Sequence, residues 1–236
     1  MCTVTYFPLK DKIVLTSNRD EKPDRSAQEI HQEKGIYYPK DATKNGTWFA
    51  VSENGNAIIL LNGAFEDHQR KVEYKKSRGL IVLDLIEKED IFKSIELIDL
   101  ENIEPFTLAI LQENQLAEFR WDGLEKHFEI LDINRPHIWS SATLYNETAR
   151  EKRKQIFHEF LQNEIISEET IWGFHHQKTD DLQNGITIKR QNTIQTISTT
   201  QLVISDEMAL KHYDRLENHS KTEKISLKNE TQTSAS

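Results

Sequence analysis

The first 21 residues, MCTVTYFPLKDKIVLTSNRDE (residues 1–21), decide the fold. β-Branched and aromatic side chains fill residues 3–7, and a second such run begins at Ile13 after a polar turn, so the stretch predicts two paired strands. In an antiparallel hairpin the first residue of one strand opposes the last residue of the next. The pairing therefore predicts that Cys2 lies close to Arg19 and Asp20, in the polar segment that follows the second strand.

Length and composition limit the classes of protein that the chain can form. At 236 residues, with 36% hydrophobic and 29% charged residues, we expect one soluble globular domain over residues 1–216. Residues 217–236 are polar and contain no Phe, Tyr or Trp, so we expect a disordered tail there. The net charge of −9 argues against a nucleic-acid partner.

Targeting and redox signals are also informative. No apolar run approaches the roughly 20 residues needed to span a bilayer, so no membrane span is expected. The N-terminus lacks the basic and apolar regions of a secretory signal. The single cysteine excludes an internal disulfide and a cysteine-based zinc site. The expected compartment is therefore the cytoplasm.

The remaining elements follow from hydrophobic periodicity and turn chemistry. The polar stretch 22–45 predicts a long ordered loop, and Asn54-Gly55 predicts a hairpin between two apolar strands. A helix is predicted from near Lys75, and Asp90 is predicted to cap a second helix with Leu97 facing inward. Further strands are predicted at 106–111, 116–121, 127–131, 186–189, 193–204 and 210–216, and residues 137–144 are predicted to be a strand that enters a loop. Helices are predicted at 146–161 and 168–174. This order fits two packed sheets flanked by helices.

Several short motifs occur in a fixed order along the chain: Met1-Cys2-Thr3, Ser17 to Glu21, Gly46-Thr47-Trp48, Leu61-Asn62, Ser77-Arg78-Gly79 and Ser141 to Leu144. With this order and spacing the chain resembles the transport-and-Golgi-organisation family, also called the NRDE family after the Asn-Arg-Asp-Glu motif, here residues 18–21. That family is similar to cysteine N-terminal nucleophile hydrolases such as penicillin V acylase and bile-salt hydrolase. The resemblance implies an α+β fold, the four-layer αββα sandwich. It also implies links to Golgi organisation and to haem or lipid handling, with an unsettled reaction.

Cys2 is the candidate nucleophile, because removal of Met1 would expose it as the N-terminal residue. A free thiol has a pKa of about 8.5 and an α-amino group one of about 7.7–8.0, so both titrate near working pH. The α-amine can then act as base, Arg19 would favour the thiolate, and Asp20 would orient the ammonium group. In the alternative interpretation Cys2 is an inert strand residue, and Arg19 and Asp20 form a structural ion pair.

The resemblance also suggests residues around the nucleophile. It favours Asn62 as the side-chain donor to a developing oxyanion, although an ordinary Asn-Gly turn explains the same residue. Ser141, Thr143 and Asn146 are predicted to line the opposite wall of a substrate cleft. Asn18 is counted with the predicted substrate contacts, although we expect its side chain chiefly to hold backbone segments in place.

Two positions depart from the resemblance. Relatives tend to carry an arginine where this chain has Ile197, and an amide where it has Ser141. Since both positions belong to the predicted substrate region, the substrate preferences of relatives do not transfer to this chain.

No metal or cofactor is expected. The adjacent His175 and His176 would diverge by about a hundred degrees on a helix, and no His-Glu-x-x-His spacing occurs. The first functional hypothesis is hydrolysis of an amide or thioester through Cys2. The alternative is a non-catalytic binding or trafficking protein, with haem or an acyl or lipid molecule as ligand; a third is a scaffold that acts through its surfaces. The expected partner is a small-molecule or acyl-type ligand.

Overall fold

The computed structural model describes residues 2–178, 180–191 and 193–227, without the side chain of Cys2. The helices and strands in these ranges are, in chain order, β1 (Cys2–Pro8), β2 (Ile13–Glu21), β3 (Ile30–Glu33), β4 (Ile36–Pro39), β5 (Phe49–Ser52), β6 (Ala57–Asn62), α1 (Arg78–Ile86), α2 (Ile91–Leu97), β7 (Phe106–Gln112), β8 (Gln115–Trp121), β9 (Lys126–Leu131), β10 (His137–Ser140), α3 (Glu147–Asn163), α4 (Glu168–His176), β11 (Lys189–Arg190), β12 (Ile194–Ile204), β13 (Met208–Asp214) and β14 (His219–Ile225). A short 3-10 helix, Pro23–Arg25, follows β2.

The strands form two antiparallel sheets. In the first sheet the order is β10-β1-β2-β12-β13-β14, with β11 paired to β12. In the second sheet the order is β3-β4-β5-β6-β7-β8-β9, so each strand pairs with its neighbour in sequence. The N-terminal hairpin therefore lies inside the first sheet, between β10 and β12.

Alternating side chains of the hairpin attach the first sheet to both neighbouring layers. Tyr6 belongs to the large apolar cluster that includes residues of the second sheet, such as Ile59. Phe7 instead packs with Phe157 of α3 and Phe174 of α4. Successive strand side chains point to opposite faces, so helices cover one face of the first sheet and the second sheet covers the other. With α1 packed on β5 and β6, the layers are helix, sheet, sheet, helix. The predicted αββα sandwich is confirmed.

The predicted long loop over 22–45 is wrong in part. It contains the β3–β4 hairpin, in which Glu33 pairs with Ile36 across a turn formed by Lys34 and Gly35. Gly35 has φ +75°, a conformation that suits glycine. All four residues of β4 are buried, and Ile36, Tyr37 and Tyr38 belong to the large apolar cluster, which explains why this part of a mostly polar segment forms a strand.

The expected disordered tail from residue 217 is wrong for residues 219–225. These residues form β14, which pairs with β13 along its whole length. Ile225, opposite Met208, is only 1% exposed. Pairing covers the backbone groups that β13 would otherwise leave open, which is why a polar segment is ordered there. Residues 228–236 lie outside the described part of the chain.

Smaller differences concern the helices. α1 begins at Arg78 rather than near Lys75, with Ser77 at its N-cap. Asp90 caps α2 as predicted, accepting a hydrogen bond from the Lys93 amide. Leu97, which was expected to face inward, is 77% exposed at the end of α2.

Among the described residues, no helix is long and apolar enough to cross a membrane.

Candidate active site

The site is built at the N-terminal end of β1. The backbone of Cys2 lies opposite Arg19 of β2, as the sequence predicts. The next residue, Thr3, pairs with Asn18 on one side and with Ser140 of β10 on the other. The start of β1 is therefore enclosed between the end of β2 and the segment that follows β10. The side chain of Cys2, and Met1, lie outside the described residues.

The polar motif of residues 18–21 lies within β2 and is buried, whereas the sequence placed it after the strand. β2 stays paired up to Glu21 because β12 continues beside it. The pairing contains a β-bulge between Thr196 and Ser198, next to Asp20 and Arg19. Bulges of this kind often occur beside active sites, where they redirect side chains.

Arg19 is held in a fixed position on the side of the second sheet. Its guanidinium carbon lies 3.8 Å from the ring centre of Trp48, and its Nη2 lies 2.5 Å from Oδ2 of Asp41. Its Nη1 donates a hydrogen bond to the Arg25 carbonyl at 2.7 Å. Burial opposes ionisation of Asp41, but Arg19 and Arg25 outweigh burial and lower the pKa of its carboxyl. The guanidinium of Arg19 is thus buried, charged and oriented.

Asp20 lies on the opposite face of the sheet, where its side chain is not exposed to solvent. It is fully buried, its Oδ2 accepts a hydrogen bond from the Tyr145 hydroxyl at 2.7 Å, and its Oδ1 accepts one from Thr196 Oγ1 at 2.6 Å. Burial raises the pKa of Asp20, although nearby Arg153 and both hydroxyl donors act in the other direction. Because neighbouring strand residues alternate, the charged groups of Arg19 and Asp20 diverge to the two faces of the first sheet.

Asn62, Ser141 and Thr143 are brought together at the end of β6. The Asn62 carbonyl accepts hydrogen bonds from Ser141 Oγ at 2.9 Å and from the Ala142 amide at 3.1 Å. Ser141 Oγ also lies 3.3 Å from Thr143 Oγ1. Within the described residues the side-chain amide of Asn62 forms no hydrogen bond, so the contact is made by its backbone.

The turn after Asn62 also accounts for this residue structurally. Gly63 has φ +79°, and a Cβ at that position would lie 2.8 Å from Thr143 Cγ2. Only glycine allows the two segments to approach so closely. The Asn-Gly turn is therefore present, and among the described residues it leaves the Asn62 amide without a hydrogen-bond partner.

Asn18 and Asn146 occupy structural positions. The Asn18 amide donates to the carbonyls of His175 at 2.9 Å and Ile186 at 3.1 Å, and its oxygen accepts from Thr199 Oγ1 at 2.8 Å. Asn146 is the N-cap of α3, where its side-chain oxygen accepts from the Ala149 amide at 2.9 Å. The placement of Asn18 agrees with the expectation that it holds backbone. For Asn146 the placement favours a capping role over a substrate contact.

Ile197, at the position of the relatives' arginine, is the extra residue of the β12 bulge and is fully buried. It places an apolar residue between Thr196 and Ser198, the two residues of β12 that pair with Asp20 and Arg19. The departure from the resemblance therefore removes a charge from this part of the site.

Four residues around the site were missed by sequence reasoning: Asp41, Tyr145, Arg153 and Thr196. The contacts of Asp41 and Thr196 join segments far apart in the chain, so no local pattern indicates them. A signal does exist for Arg153, which follows Ala149 by four residues and precedes Phe157 by four, on the buried face of α3.

The arrangement can support nucleophilic chemistry but offers no metal site among the described residues. No cluster of three or more His, Cys, Asp or Glu side chains suited to a metal ion occurs in that part of the chain. The groups that it assembles are an oriented guanidinium, a buried carboxylate and an amide without a hydrogen bond to any described residue, around a strand that starts with a cysteine.

The comparisons with known proteins agree with the fold. The model of the family described as Transport and Golgi organisation 2 matches residues 1–233. No curated protein sequence matches the chain.

Solved structures similar to this chain include the Caenorhabditis elegans ortholog of N-acylethanolamine-hydrolyzing acid amidase, with a TM-score of 0.59 and 11% identity over 85% of this chain and 92% of that chain. A mutant of the conjugated bile acid hydrolase from Clostridium perfringens has a TM-score of 0.54 and 8% identity over 97% of this chain and 94% of that one. A second variant of that hydrolase gives 0.56 and 8% over the same shares. These structures have the N-terminal nucleophile hydrolase fold, and at such identities they establish the fold alone.

Proposed function

The chain belongs to the Transport and Golgi organisation 2 family, and we propose from this premise that it is a hydrolase acting through Cys2 after removal of Met1. The observation that carries the proposal is the register of the N-terminal hairpin, which sets the backbone of Cys2 opposite Arg19, whose side chain is buried. The proposal requires the Cys2 thiol to share the face of Arg19, as directly opposed residues of an antiparallel pair do.

The proposed substrate is an amide or a thioester of an acyl group. The thiolate of Cys2 attacks the carbonyl carbon, and the C–N or C–S bond to the leaving group breaks. The leaving group takes a proton from the α-ammonium of Cys2. Water then attacks the acyl-enzyme, one of its protons passes to the α-amine, and the C–S bond to Cys2 breaks, which releases the acid and restores the thiolate and the ammonium group.

Each surrounding residue has a role in this scheme. Arg19 lowers the pKa of the thiol, because a nearby cation favours the thiolate. Asp20 orients the α-ammonium group. The Asn62 amide stabilises the oxyanion. Removal of one such hydrogen-bond donor typically lowers kcat by a factor of about 10²–10³. The similar structures are an acid amidase and a conjugated bile acid hydrolase, which supports acyl transfer as the reaction class.

Intact mass spectrometry of the purified full chain tests the proposal. We expect the mass to lack Met1, and a short-chain acyl thioester to leave a transient acyl adduct on the chain. Since the chain has one cysteine, the Cys2→Ala variant should show no such adduct. A retained Met1, or an adduct that persists in Cys2→Ala, would overturn the mechanism.

The binding and trafficking alternative predicts a different result. Haem titration followed by absorbance would then give saturable binding that is unchanged in Cys2→Ala, together with no acyl adduct on the native chain. If haem binds and the acyl adduct also forms and is hydrolysed, haem binding has a separate role from the proposed reaction.

A further inference from the structure

A buried polar cluster lies behind the N-terminal end of β1, on the face covered by α3. Asp20, Tyr145 and Arg153 are all fully buried in it. The Tyr145 hydroxyl donates to one carboxylate oxygen of Asp20, and Thr196 donates to the other. A carboxylate can accept about four hydrogen bonds, so Asp20 retains acceptor capacity beyond these two donors.

Arg153 brings a cation to the same cluster. Its guanidinium carbon lies 3.7 Å from the ring centre of Tyr145. Its Nη2 donates to Oγ1 of Thr3, the residue after Cys2, at 2.5 Å. Its Nε and Nη1 have no hydrogen-bond partner among the described residues. The ring of Tyr145 therefore links Arg153 to Asp20, and the two charges form no direct ion pair.

One further charge faces Asp20. Arg215, which follows β13, acts on Asp20 electrostatically and donates to the His175 carbonyl at 2.7 Å. Among the residues that the structure describes, the charged groups that act on the carboxylate are therefore Arg153 from α3 and Arg215 from the far side of β12. Both favour the ionised carboxylate, while burial opposes it.

A cluster that only stabilised the fold would not need these buried charged side chains. Buried ionised side chains cost several kcal/mol of desolvation each, and apolar side chains of similar volume often serve stability as well or better. Asp20 also follows Arg19 by one residue, so in the hairpin register its backbone lies beyond Cys2 on the amino side. That is the side on which the α-amino group of Cys2 would be found.

We propose that Tyr145, with Arg153 stacked on its ring, is a positioning residue that keeps Asp20 ionised and oriented toward the α-amino group of Cys2. The inference rests on the proposed function, since it is there that Asp20 holds the ammonium form. The charged Asp20 stabilises the ammonium group, and the ammonium group together with Arg19 favours the thiolate. Without the Tyr145 hydroxyl, Asp20 would stay protonated to a higher pH and the thiolate would form later.

The test is the pH profile of alkylation of the single cysteine by iodoacetamide, read by intact mass on the full chain. The acid limb of this profile is the pH range in which the alkylation rate rises as the thiolate forms. In Tyr145→Phe we expect this limb to shift to higher pH by about one unit, which is roughly a tenfold loss of rate on the limb. The rate on the high-pH plateau should be unchanged, because the thiolate is then fully formed.

Tyr6→Phe is the matched control. Tyr6 is also fully buried, lies in β1, and donates its hydroxyl to the Ile133 carbonyl at 2.9 Å, away from the site. Its removal should leave the acid limb in place. If Tyr145→Phe does not fold, Thr196→Val removes the other donor to Asp20 and should move the limb in the same direction.

The outcomes separate this inference from the proposed function. If the native profile matches that of a free peptide thiol, the proposed function fails and this inference fails with it. If the native limb is displaced to low pH and the Tyr145→Phe profile coincides with the native one, the inference alone is overturned. A displaced limb in Tyr6→Phe equal to that in Tyr145→Phe would also overturn it, because the effect would then be one of general packing.

Discussion

At the scale of single residues, the site depends on how charges are distributed on the two faces of one strand. Arg19 stacks on Trp48 and pairs with Asp41, while Asp20 is held by hydroxyl donors on the other face. The sequence indicated that both residues lie near Cys2, because strand pairing alone determines that. It did not indicate that their side chains diverge, since the motif was placed after the strand rather than within it.

The pairing of Arg19 with Asp41 should be measurable as a coupling energy. Breaking a buried pair by removal of one partner costs about 3–5 kcal/mol, and because Arg25 still pairs with Asp41 we expect about 2 kcal/mol for Arg19→Gln. Urea denaturation of Arg19→Gln, Asp41→Asn and the double variant measures this. The double variant should lose less than the sum of the single losses. Strictly additive losses would contradict the pairing.

The depressed pKa of Asp41 predicts how stability depends on pH. Its stabilising contribution is present above the unfolded pKa of about 3.9 and is lost as pH falls through the lower folded value. The difference in unfolding free energy between the native chain and Asp41→Asn should therefore be largest at neutral pH and shrink below about pH 4. A difference that stays constant into acid would show that Asp41 does not have the lowered pKa.

At the scale of elements, the parts that sequence predicted best are those with local signals. The β1–β2 and β5–β6 hairpins follow from strand runs and their turns, and the Asp90 cap follows from its position before an apolar run. β14 was missed because its residues are mostly polar, and only the neighbouring β13 gives them a reason to be a strand. Tyr145 and Arg153 were missed because their partners lie on β1 and β2, far away in sequence.

The role of β14 can be tested through its one buried apolar residue. Ile225→Ala should cost roughly 2–4 kcal/mol, because Ile225 is 1% exposed opposite Met208. Ile165→Ala is the control, since Ile165 is 88% exposed, and it should change stability by no more than about 0.5 kcal/mol. Equal effects of the two substitutions, measured by urea denaturation, would mean that β14 does not contribute to the sheet.

The cap of α3 separates two interpretations of Asn146. Asn146→Ala should lose about 1 kcal/mol of stability, whereas Asn146→Ser should keep most of it because serine also caps helices well. Thermal or urea denaturation of both variants checks this. If Asn146→Ala is as stable as the native chain, the capping role is wrong and a role toward the ligand regains weight.

At the scale of the whole molecule, the four layers hold the start of β1 in a fixed environment. β10 and β2 flank it within the first sheet, and the segment after β10 is bound to the end of β6 in the second sheet. One turn, residues 141–145, contacts the second sheet through the hydrogen bond of Ser141 to Asn62, and the first sheet through the hydrogen bond of Tyr145 to Asp20. The fold could be predicted from the order of elements and the family resemblance, whereas this junction depends on contacts between distant segments.

The measurement that tests the central claim most directly is the rate constant for alkylation of Cys2 by iodoacetamide in the purified full chain near pH 6. The reference is a synthetic peptide of residues 2–7 with a free amino group, which has the same local chemistry without the fold. We predict that the protein reacts about tenfold faster than the peptide, because Arg19 and the oriented ammonium group lower the thiol pKa to about one unit below that of the peptide. A rate equal to that of the peptide, or a lower one, would contradict the claim that the fold activates Cys2.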